Sequence, residues 1–323
     1  MKHLFFVRVA AVLLALWSNA AAAGPHLAFA TQEEGQDILS ARDDFVARLS
    51  PFDRAARLKT NRVVSEQQYL AFVRASVMAW NDAAEKQRVA QAAAQVEKDF
   101  ADLGIPLPDA RLVRTNGKEE GGAAYTRANV IVLSTYVLND PKQDLVQIIS
   151  HELFHIISRH DAVLRNKLYK AIGFEECAEF SFPAALASRR ITDPDAPRND
   201  HCIRLRYRGK SVWATPVLYA DRERYDRKKG GAFFDYLQFK LALADRSAKD
   251  GSGPPVAANA GSRFVDVGDV SGFHEQVGKN TDYIIHPEEI LADNFAFLVT
   301  KKKGLPSPAI PAEMLRVFKA QGR

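Results

Sequence analysis

The run His151-Glu152-Leu153-Phe154-His155 constrains this chain more than any other feature. On an α-helix, residues four apart share a face, so both imidazoles can reach one ion. Glu152 follows the first imidazole and is placed to act on water beside that ion. This is the layout of a zinc hydrolase in which the carboxylate is the general base. The plain alternative is a buried helix with two hydrogen-bonded histidines. Physical cost argues against it, because two imidazoles and a carboxylate beside an apolar face leave polar groups that are expensive to bury.

The surroundings suit a helix preceded by strands. Arg111-Leu112-Val113-Arg114 is extended, and Asn116-Gly117 is a turn signal. Gly121 to Thr126 and Asn129 to Ser134 read as two further strands, the first with glycines that would allow a substrate backbone to approach. Asp140 is expected to cap the motif helix, with Pro141 at its first position. Leu145, Ile148, Ile149, Ile156 and Ile157 give that helix an apolar face. Upstream, Glu66 to about Leu103 is helical, with Ser65 and Gln68 as a capping box and a break at Asn81-Asp82. Downstream, residues 165–280 are looser, with prolines at 183, 194, 197, 216, 254 and 255. Within them the pattern predicts a helix over Ala232–Ala244 and a flexible loop over Ser247–Ser262. A further helix is expected at about Pro287 to Val299. The fold class is therefore α+β. An N-terminal helical region spans 24–109 and a catalytic domain 110–323, with an insertion at about 165–280.

The first 23 residues read as a secretory signal. Lys2 and Arg8 supply charge, Val9 to Trp17 a short apolar core, and Ser18 to Ala23 small residues for cleavage. The apolar run is too short for a membrane anchor, which needs about 20 residues. Export to a periplasm or beyond is expected, with no stable membrane insertion once the signal is removed. Losing Lys2 and Arg8 lowers the formal net charge of +5 by two. The remaining charge is spread out, which argues against a nucleic-acid partner. Cys177 and Cys202 are the only cysteines, and in an oxidising compartment a lone pair bridges.

A catalytic zinc takes three protein ligands and keeps one position for water. Three places offer the third. Asp161 lies six residues past His155, but Ser158 stands where a sharp turn would want Gly. Glu175 or Glu176 would suit a short helix–loop–helix return. Glu289 lies in His286-Pro287-Glu288-Glu289-Ile290-Leu291-Ala292-Asp293, where Glu289 and Asp293 are four apart on one helical face. One carboxylate could then bind metal while the other holds a ligand histidine by its second nitrogen.

With H-E-x-x-H and a downstream E-x-x-x-D helix, the sequence resembles the gluzincin metallopeptidases, the thermolysin-like clan of zincins. Glu289 to Ala296 also resembles the E-x-x-A-N/D-x-F-A helix of zincins related to the ImmA/IrrE peptidases. The resemblance covers two short segments. It implies a zincin-like core with a small sheet, Zn2+ on His151, His155 and Glu289, Glu152 as base, and Asp293 orienting a ligand histidine. The chain departs from the clan in the long gap between His155 and Glu289, and in having no histidine after Glu289. Tyr283 and His286, just before the helix, are therefore the candidates to hydrogen-bond a developing oxyanion. The expected activity is hydrolysis of peptide bonds in a peptide or protein substrate. The rival readings are a cell-wall peptide amidase or endopeptidase, and a secreted metal-binding protein without turnover.

Overall fold

The computed structural model of the chain describes residues 26–244 and 263–321. The expected signal segment and the Ser247–Ser262 loop lie outside the described residues. The centre is a mixed sheet in which Leu27–Phe29, Ala110–Thr115 and Val130–Ser134 run parallel, with Tyr125–Arg127 antiparallel at the edge. Val77–Met78 adds a short antiparallel pairing to Ala110–Thr115.

Strand alternation divides this sheet between two cores. Ile131 and Leu133 point to one face, and Val130 and Val132 to the other. All four are fully buried, each stabilising the fold by about 1.5–3 kcal/mol relative to exposure. On the Val130 side, Leu39, Phe45, Val46, Tyr69 and Val73 of the N-terminal helices cover the sheet. The Ile131 face carries the helices that matter for chemistry: Leu145–His160, Ala162–Ala171, Pro287–Val299 and the long Ala83–Leu103. Phe154 of the motif helix meets Phe295 with ring centroids 5.6 Å apart, and Phe100 meets the same ring at 5.4 Å.

Local capping follows the sequence in places. Ser65 and Gln68 form a reciprocal capping box, and Asp82 caps Ala83–Leu103 after the expected break. The helix at Pro287–Val299 has the expected bounds. The motif helix starts later than expected. Asp144 is its cap, with Oδ1 accepting from Val146 N at 3.0 Å and Gln147 N at 3.1 Å. Asp140 instead accepts from Lys142 N and closes a turn of its own, a common alternative for Asp before Pro. The strand expected over Gly121–Thr126 shrinks to Tyr125–Arg127. Gly122 sits at φ 93°, a left-handed turn geometry, and a Cβ there would lie 3.2 Å from the Tyr136 ring.

The described part of the looser stretch from 165 to 280 carries a second sheet, wholly antiparallel, with short helices around it. Its order is Arg263–Val265, Leu237–Ala244, Lys210–Ala220, His201–Tyr207, Val270–Ser271, with Phe174–Glu176 also on His201–Tyr207. Arg208 and Gly209 both take positive φ between Tyr207 and Lys210, as a tight hairpin turn requires. The helix expected over Ala232–Ala244 is corrected: only Phe233–Tyr236 is a 3₁₀ turn, and Leu237–Ala244 is a strand. Leu237, Phe239, Leu241 and Leu243 alternate along it, the two-residue period of a strand, while Gln238 and Lys240 lie on the opposite face. Glu175 and Glu176 are likewise on a strand, exposed, not on a helical return. Cys177 and Cys202 form a disulfide beside the pairing of Phe174–Glu176 with His201–Tyr207. Among the described residues no helix is long and apolar enough to cross a membrane.

Candidate metal centre

Two buried helices cross to make the site. From Leu145–His160 come His151, Glu152 and His155. From Pro287–Val299 come Glu288, Glu289 and Asp293. The Glu289 carboxylate lies between the imidazoles, with Oε2 3.2 Å from His151 Nε2 and Oε1 3.7 Å from His155 Nε2. Ligand atoms of His151, His155 and Glu289 all fall within 4.8 Å of one another. Zinc bonds of 2.0–2.1 Å set in a tetrahedron separate ligand atoms by about 3.4 Å, which these distances straddle.

The far nitrogens of both rings are held. His151 Nδ1 is 2.9 Å from Asp293 Oδ1, and the other Asp293 oxygen accepts from the Thr281 hydroxyl. His155 Nδ1 is 3.0 Å from Glu288 Oε1, and Glu288 also accepts from Ser158 and, at 2.5 Å, from the Tyr169 hydroxyl. A proton on each Nδ1 leaves each Nε2 lone pair facing Glu289, the tautomer a metal ligand needs. Glu288 was not legible as a functional residue. Two adjacent glutamates in a first helical turn look like a response to the helix dipole, and nothing in the spacing says that the first faces inward.

Electrostatics at the cluster are severe. Burial works against charge on His151, but hydrogen bonds to Asp293 and Glu289 outweigh it and push the pKa well above its usual value. His155 is likewise opposed by burial, yet the nearby Asp195 and Glu289 charges and the Glu288 bond push it up to about 10. Glu152 is 4% exposed, and its Oε2 has no hydrogen-bond partner. Burial first, then repulsion from Asp195, pushes it up to about 8. An unpartnered buried carboxylate oxygen beside two imidazoles and another carboxylate is what a site for a cation and its water looks like without them. The donor set of two imidazoles and one carboxylate fits zinc.

Asp193 and Asp195 also reach the cluster. Asp195 groups with Glu152 and His155, and Asp193 with Asp195 and Glu289, each set within 4.8 Å. Burial, then the Glu289 and Asp195 charges, raises Asp193 well above the carboxylate range. These two were missed at the level of sequence. The available signal was Asp193-Pro194-Asp195, two acids fixed around a rigid residue.

The other candidates are placed as follows. Tyr283 lines the same cleft of about 380 Å³ as His151, Glu152 and Glu289. His286 does not reach that cleft. It caps the Pro287–Val299 helix, with Nδ1 accepting from Glu288 N at 3.1 Å and Nε2 3.1 Å from Arg198 O. Burial lowers its pKa to about 4, so it is neutral and both nitrogens are engaged. His286 instead lines a separate cavity with Tyr169 and Glu288. Asp161 caps the following helix through Leu164 N at 2.8 Å, and Glu175 and Glu176 lie away from the cluster on their strand. Comparison with protein-family models, with curated proteins and with solved structures gives no match.

Proposed function

We propose that the chain is a zinc-dependent hydrolase of peptide bonds, of gluzincin type and acting outside the cytoplasm. The observation that carries the reading is convergence: both imidazole Nε2 atoms meet one carboxylate while both Nδ1 atoms are held by others. His151, His155 and Glu289 would hold the ion. When bound, zinc supplies Lewis acidity, bringing water ionisation towards neutrality and polarising a carbonyl.

The chain's own groups supply the rest. Glu152 Oε2 accepts the proton of the attacking water, and the same carboxyl then gives it to the leaving amine. One water thereby adds across the C–N bond, leaving a carboxylate and an amine. A cation beside Glu152 favours its ionised form, so its raised pKa falls when the site is loaded. Asp293 and Glu288 keep the imidazoles oriented throughout. Tyr283 lines the cleft beside Glu152 and can donate to a developing oxyanion, and His286 is withdrawn from that role by its two existing partners. The Cys177–Cys202 bridge is consistent with an oxidising compartment.

The test is elemental analysis of the purified chain, followed by peptide cleavage with and without chelator. One zinc per chain and chelator-sensitive cleavage are expected. Stoichiometric metal with no turnover on any peptide would leave a binding protein. No bound metal would remove the reading altogether.

A further inference from the structure

Asp193 and Asp195 have no part in the reaction above, yet their oxygens are arranged to receive a cation. Asp193 Oδ1 accepts from Asp195 N at 2.9 Å, closing a turn around Pro194. Its Oδ2 is shut off from solvent and has no partner. In Asp195 every hydrogen bond falls on Oδ1, from Thr126 N at 2.9 Å, from the Thr126 hydroxyl and from Arg159 at 3.5 Å. Asp195 Oδ2 carries none, and the residue lines the metal cleft. The Glu152 carboxyl, with its own unpartnered buried oxygen, groups with Asp195 as well.

Charge says what kind of cation belongs there. Among the described residues no Lys or Arg lines the cleft. A divalent ion on His151, His155 and Glu289 still leaves Glu152, Asp193, Asp195 and Asp293 around it, with Arg159 as the one Arg or Lys among the described residues paired to any of these four. An incoming molecule with a positive end is favoured by that imbalance. Three acceptor oxygens within 4.8 Å of one another, from Asp193, Asp195 and Glu289, suit an ammonium. Its N–H groups reach oxygens at about 2.8 Å, which sets those oxygens roughly 4.5 Å apart. Asp195 also occupies Thr126 N on the edge strand Tyr125–Arg127, so an extended chain cannot pair through that position.

We propose that Asp193 and Asp195 receive a primary ammonium group of the substrate and direct hydrolysis to a peptide bond close to it. The proposal rests on the peptidase reading. The ammonium is either a free amino terminus or a lysine-type side chain, and the experiment separates the two.

Three probes are used with the zinc-loaded full chain: tetra-alanine amide, its N-acetyl form, and the N-acetyl form with one alanine replaced by lysine. A kcat/KM for an amine-bearing probe about tenfold to a hundredfold above the acetylated tetra-alanine is expected. Preference for the first probe alone assigns the amino terminus, and preference for the third assigns a side chain. Asp193→Asn should collapse the preference while bound zinc stays at one per chain. Should that variant not fold, Asp195→Asn gives the same readout. Equal rates on all three probes, or a preference that survives these variants, overturns the proposal. So does a second metal ion per chain that disappears in Asp193→Asn, since the acids would then hold metal. If no peptide is turned over, calorimetry of the same probes on zinc-loaded Glu152→Gln still decides. Tighter binding of an amine, lost on adding Asp193→Asn, supports the ammonium site, and equal binding sinks it.

Discussion

The crossed helices Leu145–His160 and Pro287–Val299 and the antiparallel sheet from Phe174 to Ser271 hold their shape by different means. The helices meet over apolar rings such as Phe154 and Phe295, but their register is fixed by polar side chains aimed at one point. The sheet is held by its backbone ladder, by apolar residues such as Ile203, Ala214 and Leu241, and by one disulfide. Chemistry is therefore concentrated in one region and much of the covalent and ladder stability in the other. Each can be damaged without the other if this division is correct.

The largest effect belongs to the helices. Glu152→Gln should lower kcat by about 10²–10⁴-fold with metal content and circular dichroism unchanged. A variant as active as wild type would end the proposed mechanism. Next comes the sheet. Replacing Cys177 and Cys202 by Ser removes a link across 25 positions and should lower unfolding stability by about 3 kcal/mol in denaturant titration. Zinc should still bind in one equivalent; loss of metal would show that the two regions are not separable.

A smaller effect sharpens the helix side. Glu288→Gln keeps the volume but weakens the grip on His155, and metal affinity should fall about 10–100-fold in competition with a chelator. An unchanged affinity would mean that Ser158 and Tyr169, not His155, are what Glu288 serves. The smallest effect is a pH slope. His155, pushed up to about 10 in the metal-free chain, contributes stability fully below about 6.5, and that contribution is lost as pH rises towards 10. Glu152, pushed up to about 8 from 4.5, favours the fold most when protonated and loses that advantage between those values. Both slopes have one sign, so chelated protein should melt at falling temperatures from about pH 5 to 10. Zinc displaces the imidazole protons, and the loaded protein should lack the alkaline part of the decline. Parallel melting curves across this range with and without metal would contradict the cluster's assignment.

What was legible follows the same division. H-E-x-x-H and E-x-x-x-D are helical spacings, and helical neighbours are close in sequence, so His151, His155, Glu289 and Asp293 could be grouped before any fold was known. Glu288, Asp193 and Asp195 were hidden because their value depends on which way a helix or turn faces towards groups far away in the sequence. The antiparallel sheet was hidden for another reason. Pro216 in Lys210–Ala220 looked like a breaker, yet it lies past the residues that pair with His201–Tyr207, so its missing N–H costs no ladder bond on that side. Ala232–Ala244 looked helical because Phe233, Phe234 and Tyr236 of the preceding turn extend the apolar run, masking the alternation of Leu237, Phe239, Leu241 and Leu243.

The ring of His155 is pinched at its two nitrogens by consecutive glutamates, 288 and 289, on a single turn of the crossing helix. Sliding that helix by one residue would free both grips together. The centre thus has no half-assembled form to linger in: it is either fully aligned or undone, and intermediate affinities for metal should be hard to reach by small shifts of the backbone.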